Sequence, residues 1–358
     1  MKVPVIEASG NPYELGYQHG KQAREAVQKN IQFYLDLWKH FGEKKPEVIL
    51  QQVHKFLPYV EKADSELIEE MKGLAEGAGV KFDHILALNC RYELTFGFMK
   101  GFLMEGCTSF GLQPEVTLDR HTYVGQNWDY KPSVEHSCII LRLKQKEKPE
   151  ILMYTEAGVI GSRGFNSDGI GICLNFMWCA EDIFKPGLPA WLKVRAVLNC
   201  HNLIEGLRVL TNFEGPNSIS MMIAHRDGEV LNVECAPGDT FFLFPEGGVL
   251  THSNHYLSPL LSVKDTGISF VPDTVIRSQR SYRLFQGKKG SLDVGSITSV
   301  MSDHFGYPHS ICRHRVAEVH PYEQFESLSS IIMDLTAGKM HYSYGPPCSN
   351  KHELIAMG

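Results

Sequence analysis

The sequence predicts an α+β protein in which a helical N-terminal stretch precedes a larger body of sheets with packed helices. Three observations carry this expectation. Apolar residues recur at helical spacing up to about Glu76, short β-prone runs bounded by Gly, Pro, Asn or Asp begin after about Gly101, and two later segments return to helical spacing. With 358 residues, 43% hydrophobic and 21% charged, the chain can bury a substantial core without disulfides or structural metal.

Taken in order, Pro12 after Asn11 suits a first helical turn, and Ile31, Phe33, Tyr34, Leu37 and Trp38 form an apolar face among Lys, Gln and Glu. A charged helix is expected near residues 63–74, closed by Gly77 and Gly79, and an apolar segment covers 82–97. Strands are expected at 107–112, 122–128, 138–143, 151–154, 170–176, 219–225 and 241–244, with helices at 192–213 and 277–285. Residues 258–273 read as a long loop.

Charge and composition exclude several functions. Lys plus Arg number 35 against 41 Asp plus Glu, a formal charge of −6, and no basic run is long enough to track phosphates, so nucleic acid is not expected as a partner. Residues 1–20 hold no apolar stretch of signal-peptide length, and nothing approaches the roughly 20 apolar residues that span a bilayer. No membrane partner and a cytoplasmic location are expected. Nine cysteines without CxxC spacing fit reduced thiols.

Cys107 is one of those nine, and on its residue type alone a buried core thiol stays open as a reading. Its position raises it above the others. It stands where helical texture gives way to strand texture, preceded by Gly106 and followed by Thr108 and Ser109. Were the Gly106–Cys107 peptide cleaved, Cys107 would carry a thiol together with an α-amine of pKa near about 8, able to act as base for its own side chain.

The segment Gly106-Cys107-Thr108-Ser109-Phe110, followed by Thr122-Tyr123-Val124-Gly125-Gln126-Asn127-Trp128-Asp129-Tyr130, resembles the start of the mature subunit in the peptidase C45 family of acyl-coenzyme A:6-aminopenicillanate acyltransferase-like N-terminal-nucleophile (Ntn) hydrolases. Collinear matches follow at Gly164-Phe165-Asn166-Ser167-Asp168-Gly169, Thr251-His252-Ser253-Asn254-His255, Arg280-Ser281-Tyr282-Arg283-Leu284, and Asp303-His304 through Ser310-Ile311-Cys312-Arg313-His314; Asn11 to Gly20 resembles the family's propeptide opening. The resemblance implies an Ntn-hydrolase four-layer αββα sandwich with a helical N-terminal propeptide. It also implies autocleavage between Gly106 and Cys107, giving a helical segment 1–106 and a catalytic core 107–358 packed as an α/β heterodimer that could assemble further into a homo-oligomer.

By the same resemblance Cys107 is the nucleophile, Asn254 an oxyanion donor, Asp129 the group orienting the Cys107 amine, and Arg280 a cation beside the thiolate. The roles of Asp129 and Arg280 require burial beside Cys107. Without the resemblance, Asn254 and Asp129 read as turn residues and Arg280 as a solvated helix face. Related bile-salt and penicillin V hydrolases carry an arginine three residues before their aspartate, where this chain has Gln126, a departure that speaks against bile-acid activity.

The implied activity is hydrolysis or transfer of the acyl group of a small N-acyl amide or acyl thioester, with an amine as acceptor and no cofactor. The alternative is an uncleaved, catalytically idle member that binds a small acyl or amide ligand. The chain ends in Ala356-Met357-Gly358 and not in a peroxisomal Ser-Lys-Leu-like tripeptide, which points to substrates other than those of the fungal penicillin pathway. Residues 173–179, with Leu174, Phe176, Met177 and Trp178, read as a core strand that could also line an apolar acyl pocket.

His304, His309 and His314, with His252 and His255, raise the question of a metal. The HExxH pattern is missing, Gly306 and Pro308 interrupt the segment, and sixteen histidines produce such spacings by chance. No metal is therefore expected. Asp303 and His304 are expected near the site entrance, and Arg313 and His314 in structural hydrogen bonds.

Overall fold

The computed structural model describes residues 3–42, 44–98, 106–212, 215–260, 263–316 and 318–358; Gly101 and Phe213, which enter the expectations above, lie outside the described residues. The strands are β1 (Val5–Gly10), β2 (Gly106–Leu112), β3 (Tyr123–Tyr130), β4 (Cys138–Gln145), β5 (Ile151–Glu156), β6 (Gly164–Asn166) and β7 (Ile170–Phe176). After two helices come β8 (Ile219–His225), β9 (Val230–Ala236), β10 (Asp239–Leu243) and β11 (Val249–His252), then, after further helices, β12 (Glu326–Asp334), β13 (Lys339–Tyr342) and β14 (Glu353–Ala356). Each expected strand is present, and β7 and β8 have the expected bounds. The expected helix at 192–213 is two helices, Ala190–Leu198 and Leu203–Asn212, interrupted where Asn199 and Asn202 use their side chains on local backbone and neighbours.

Two sheets form, ordered β1-β4-β5-β6-β7-β8-β9-β10 and β11-β2-β3-β12-β13-β14. They face each other with β2 and β3 against β7 and β8. The helix Ala190–Leu198 packs on the outside of β6 and β7, and the helices Asp273–Gln286 and Val294–Met301 pack on the outside of β2, β11 and β12. The result is the expected helix–sheet–sheet–helix sandwich. Alternation along β2 divides two cores. Gly111 faces the other sheet, where an added Cβ would stand 2.4 Å from Val230, so Cys107, two full pleats away, shares that inner face. Phe110, on the opposite face, packs on Phe285 of the outer helix at 5.2 Å between ring centroids.

The N-terminal region departs from the expectation of an all-helical segment by supplying β1, the parallel edge partner of β4. Val5, Glu7 and Ser9 point outward and Ile6 and Ala8 inward, a period of two too short to stand out in the sequence. Next comes the helix Pro12–Gln22, capped by reciprocal bonds between Asn11 and Glu14. It crosses the helix Glu66–Ala78 at backbone contact: a Cβ on Gly16 would lie 1.8 Å from the Glu70 carbonyl oxygen, and one on Gly73 would lie 2.1 Å from that of Tyr13. Gly20 and Gly77 repeat the arrangement one turn on.

Buried polar contacts fix this region to the core. Tyr34 donates to Glu156 at 3.0 Å, Arg91 pairs with the same carboxylate, Asn30 donates to the Ala157 carbonyl at 3.0 Å, and Arg195 pairs with Glu70 at 2.7 Å. Tyr34, Leu37 and Trp38 of the helix Arg24–Phe41 are buried in the same layer, as their spacing required.

Candidate active site

Strand register assembles the first part of the site. Gly106 on β2 lies opposite Asp129 on β3, which lies opposite Ser327 on β12, so three neighbouring strands bring these residues side by side on the helix-facing surface. Ser327 donates to Asp129 Oδ1 at 2.6 Å, and Arg313 Nε approaches Oδ2 at 3.4 Å. Asp129 is fully buried; burial lifts its pKa to about 6, while Arg313 and Arg277 pull in the other direction. Gly106 is squeezed against this pair: a Cβ there would lie 2.9 Å from Arg313 Nε and 3.0 Å from Asp129 Oδ2.

The second part comes from the end of β11. Asn254 follows that strand by two residues and, continuing its pairing with β2, arrives level with Cys107. Its Oδ1 accepts from the Cys107 backbone N–H at 2.9 Å and from Arg277 Nη2 at 2.8 Å, and its Nδ2 donates to the Phe176 carbonyl at 2.8 Å. Because an amide N–H and a guanidinium only donate, both contacts fix which end of the Asn254 amide faces Cys107. The loop is held from below. Asn175 donates to the carbonyls of His252 and Ser253, the Asn254 N–H donates to Thr274 at 2.6 Å, and the buried His252 ring meets Glu234 at 2.7 Å.

Arg277, buried on the helix Asp273–Gln286, binds the peptide unit on the other side of the Cys107 α-carbon. Its Nη1 donates to the Cys107 carbonyl at 2.7 Å and to Thr108 Oγ1 at 2.9 Å, and its Nε donates to Asp273 Oδ2 at 2.7 Å. Asp273 Oδ2 also accepts from Arg313 Nη2 at 2.5 Å. Burial raises the Asp273 pKa, but Arg277 and Arg313 outweigh it and hold the carboxyl below its ordinary value. The two carboxylates of one network are thus pushed apart, Asp129 upward and Asp273 downward. Arg313 Nη1 donates to His309 Nδ1 at 2.9 Å, which places the His309 proton on Nε2; burial, then Arg313, lowers that ring's pKa.

Of the expected residues, Gly106, Cys107, Asp129 and Asn254 lie together. Arg280 does not join them. It is half-buried, bonds Asp303 through two contacts at 2.5 and 2.6 Å, and stacks on Phe305, so the burial beside Cys107 that its expected role requires is not met. The helix explains the correction. Thr274, Arg277, Ser278, Ser281 and Phe285 form its buried stripe, and Arg280 lies off that stripe. Arg277, Arg313 and Asp273 were missed; a charged residue inside an otherwise small and apolar helical stripe was the available signal for Arg277. At position 126, Gln126 Oε1 accepts from Arg163 Nε at 3.0 Å, and the Arg163 guanidinium lies over Trp128.

A cavity of 580 Å³ opens at Gly106. Phe270, Val271, Pro272, Val316, Val319 and Phe325 give it apolar walls, and Asp273, His309 and Arg313 give it a polar end. Residues 173–179 are core, as their first reading has it, and do not line this cavity: Phe176 packs between Tyr92 and Trp178 at 4.1 and 4.0 Å. Nine cysteines are free thiols. Among the described residues no helix is long and apolar enough to cross a membrane.

The sequence pattern of the family described as acyl-coenzyme A:6-aminopenicillanic acid acyl-transferase matches residues 116–348. A relative from Emericella nidulans, the acyl-coenzyme A:6-aminopenicillanic-acid-acyltransferase 40 kDa form, is 28% identical over 98% of this chain and 95% of its own. Among solved structures, a variant of the conjugated bile acid hydrolase from Clostridium perfringens is similar with a TM-score of 0.47 and 16% identity over 70% of this chain and 97% of its own. Penicillin V acylase from Agrobacterium tumefaciens is similar with a TM-score of 0.46 and 13% identity over 70% of this chain and 86% of its own. With about two thirds of its length matched by the family pattern, the chain belongs to the acyl-coenzyme A:6-aminopenicillanic acid acyl-transferase family.

Proposed function

We propose that the chain is a self-processing cysteine enzyme that cleaves its own Gly106–Cys107 peptide, then hydrolyses or transfers the acyl group of a small N-acyl amide or acyl thioester through a Cys107 thioester. The observation that carries this reading is the hold on the two peptide units that flank the Cys107 α-carbon. The Cys107 N–H is held by Asn254, its carbonyl by Arg277, and Gly106 is pressed between Asp129 and Arg313 at the mouth of a cavity.

In processing, the Cys107 sulfur attacks the Gly106 carbonyl carbon, the C–S bond forms, the C–N bond breaks, and the thiol proton ends on the departing Cys107 nitrogen. Water then opens the thioester, leaving a carboxylate on Gly106 and restoring the thiol. The new α-amine serves as base for the same thiol in turnover, held by Asn254 Oδ1 and oriented by the Asp129 carboxylate. Asn254 Nδ2 spends one hydrogen on Phe176, and its second is the donor for an oxyanion. Residues 1–106 and 107–358 then stay together as an α/β heterodimer, because β1 and the buried Tyr34, Arg91 and Glu70 contacts tie them.

The apolar cavity walls support an apolar acyl group, and the polar end beside Gly106 supports the amide or thioester. The name of the Emericella relative couples an acyl thioester donor with an amine acceptor, which supports those two classes here. Free thiols support a reducing, cytoplasmic setting. Intact mass of freshly purified protein tests the reading: chains ending at Gly106 and starting at Cys107 are expected, and only full-length chain from Cys107→Ala. Wild-type protein that stays whole at neutral pH removes self-processing. Processed enzyme that turns over none of a panel of N-acyl amino acids, N-acyl amines and acyl thioesters removes the substrate class.

A further inference from the structure

We propose that His304, Cys312, His314 and Cys348 form a tetrahedral Zn²⁺ site that clips the Arg313 loop to the C-terminal turn. Their four ligand atoms lie within 4.8 Å of one another. His314 Nε2 stands 3.0 Å from His304 Nε2, 3.6 Å from Cys312 Sγ and 3.5 Å from Cys348 Sγ. Zinc bonds of about 2.05 Å to nitrogen and 2.3 Å to sulfur give tetrahedral edges of about 3.3 Å between nitrogens and about 3.5 Å between nitrogen and sulfur. The two nitrogen–sulfur edges, 3.6 and 3.5 Å, match this geometry, and the nitrogen–nitrogen edge of 3.0 Å lies slightly inside it.

Hydrogen bonding does not account for the same cluster. His314 Nε2 carries one proton or one lone pair, so it can satisfy one of three partners that converge on it. The backbone brings the ligands together independently of those contacts. The Cys312 N–H donates to the Asp303 carbonyl at 3.1 Å and the His314 N–H to the Pro308 carbonyl at 3.0 Å, folding the loop so that residues ten apart meet. Cys348 sits in a turn closed by bonds from the Ser349 and Asn350 N–H groups to the Pro346 carbonyl. The Tyr307 ring lies 6.2 Å from the His304 ring and 5.2 Å from the His314 ring and covers one side. Sequence spacing hid the site because two of its ligands are cysteines, one of them 34 residues beyond His314.

Binding one Zn²⁺ releases one proton from each thiol and leaves both imidazoles neutral, bound through Nε2, so the filled site carries no net charge. Arg313 stands between two of the ligands and reaches Asp129 and Asp273, so the metal would hold the residue that faces Gly106.

The test uses the untagged full-length chain, purified under reducing conditions, incubated with Zn²⁺ and dialysed, with metal measured by plasma mass spectrometry. His304→Ala and Cys348→Ser alter exposed side chains, so their folding is expected to survive, and Cys200→Ser is the control. About one zinc per chain is expected in the wild type and the control, and below about a tenth in both variants. Replacement by Co²⁺ should give thiolate-to-metal charge transfer and the intense visible bands of a tetrahedral ion, both lost in Cys348→Ser. Chelation should lower the melting temperature and zinc should restore it. Wild-type protein that holds no metal, a Cys348→Ser variant that keeps its zinc, or a Cys312–Cys348 disulfide in reduced preparations would each overturn the site.

Discussion

Arg277 donates from Nη1 to the carbonyl oxygen of Cys107 at 2.7 Å, and the same guanidinium donates from Nη2 to the Asn254 oxygen that receives the Cys107 N–H. One planar fork therefore fixes the peptide units on both sides of the Cys107 α-carbon, one directly and one through Asn254. A lysine keeps the charge but not the fork.

Arg277→Lys should thus slow cleavage at Gly106 by about 10²-fold, the scale seen when one oriented donor is lost from a reacting centre. Arg280→Leu removes only the partly buried pair with Asp303, away from the groups that hold Cys107, and should process at about the wild-type rate. Intact-mass time courses on precursor decide between them. Equal stalling of both variants would return the arginine role to position 280.

The contrast shows which parts of the site were legible. Cys107, Asp129 and Asn254 stand in short contiguous motifs whose strand and turn texture can be read locally, and the pairing of β2, β3 and β11 brings them together. Arg277, Asp273 and Arg313 act through burial, which depends on which helix face lands on the sheet and how the loop after Met301 folds back. Local sequence carries the helix but only weakly its facing. The same limit hid β12, whose register is set by β3, far earlier in the chain.

Gly106→Ala tests the squeeze at the scissile peptide. The added Cβ would stand 2.9 Å from Arg313 Nε and 3.0 Å from Asp129 Oδ2, so one of these buried groups must shift. Processing should slow by about tenfold or more, since sub-ångström misplacement of positioned groups carries costs of this order. Enzyme assembled from separately produced segments 1–106 and 107–358 should turn over substrate with either residue, because Gly106 then carries the new carboxylate. A Gly106→Ala precursor that cleaves at the wild-type rate would show that the contact does not constrain the reaction.

The glycine crossing of the N-terminal helices offers a stability test away from the site. Gly73→Ala puts a methyl 2.1 Å from the Tyr13 carbonyl oxygen, a backbone atom that cannot move aside without separating the helices Pro12–Gln22 and Glu66–Ala78. Overpacking costs of about 1–3 kcal/mol are expected as a minimum. Gly79→Ala meets no close atom but stands at φ +68°, so its cost is backbone strain alone, about 1 kcal/mol. Thermal melts should rank Gly73→Ala as the more damaging change; the reverse order would contradict the close crossing.

Asp129 links the site to pH. Burial raises its pKa to about 6 from an ordinary 3.8, so below about pH 6 the folded protein holds it protonated and the carboxylate proposed to orient the Cys107 nitrogen is lost. Turnover by processed enzyme should rise with pH through about 6, and Asp129→Asn should be slow throughout with that rise removed. Stability runs the other way. A raised folded pKa contributes stability that is fully present below about 3.8 and lost as pH rises through about 6, because the folded state holds the proton more tightly than the unfolded chain. Relative to Asp129→Asn, which cannot titrate there, the wild type should therefore gain stability as pH falls from about 6 to about 4 while it loses activity. Denaturant melts of Cys107→Ala and of the Cys107→Ala/Asp129→Asn double variant at the two ends of this window measure the first trend without interference from cleavage, and initial rates of processed enzyme measure the second. Activity and stability falling together across this window would mean that Asp129 is not the group in control.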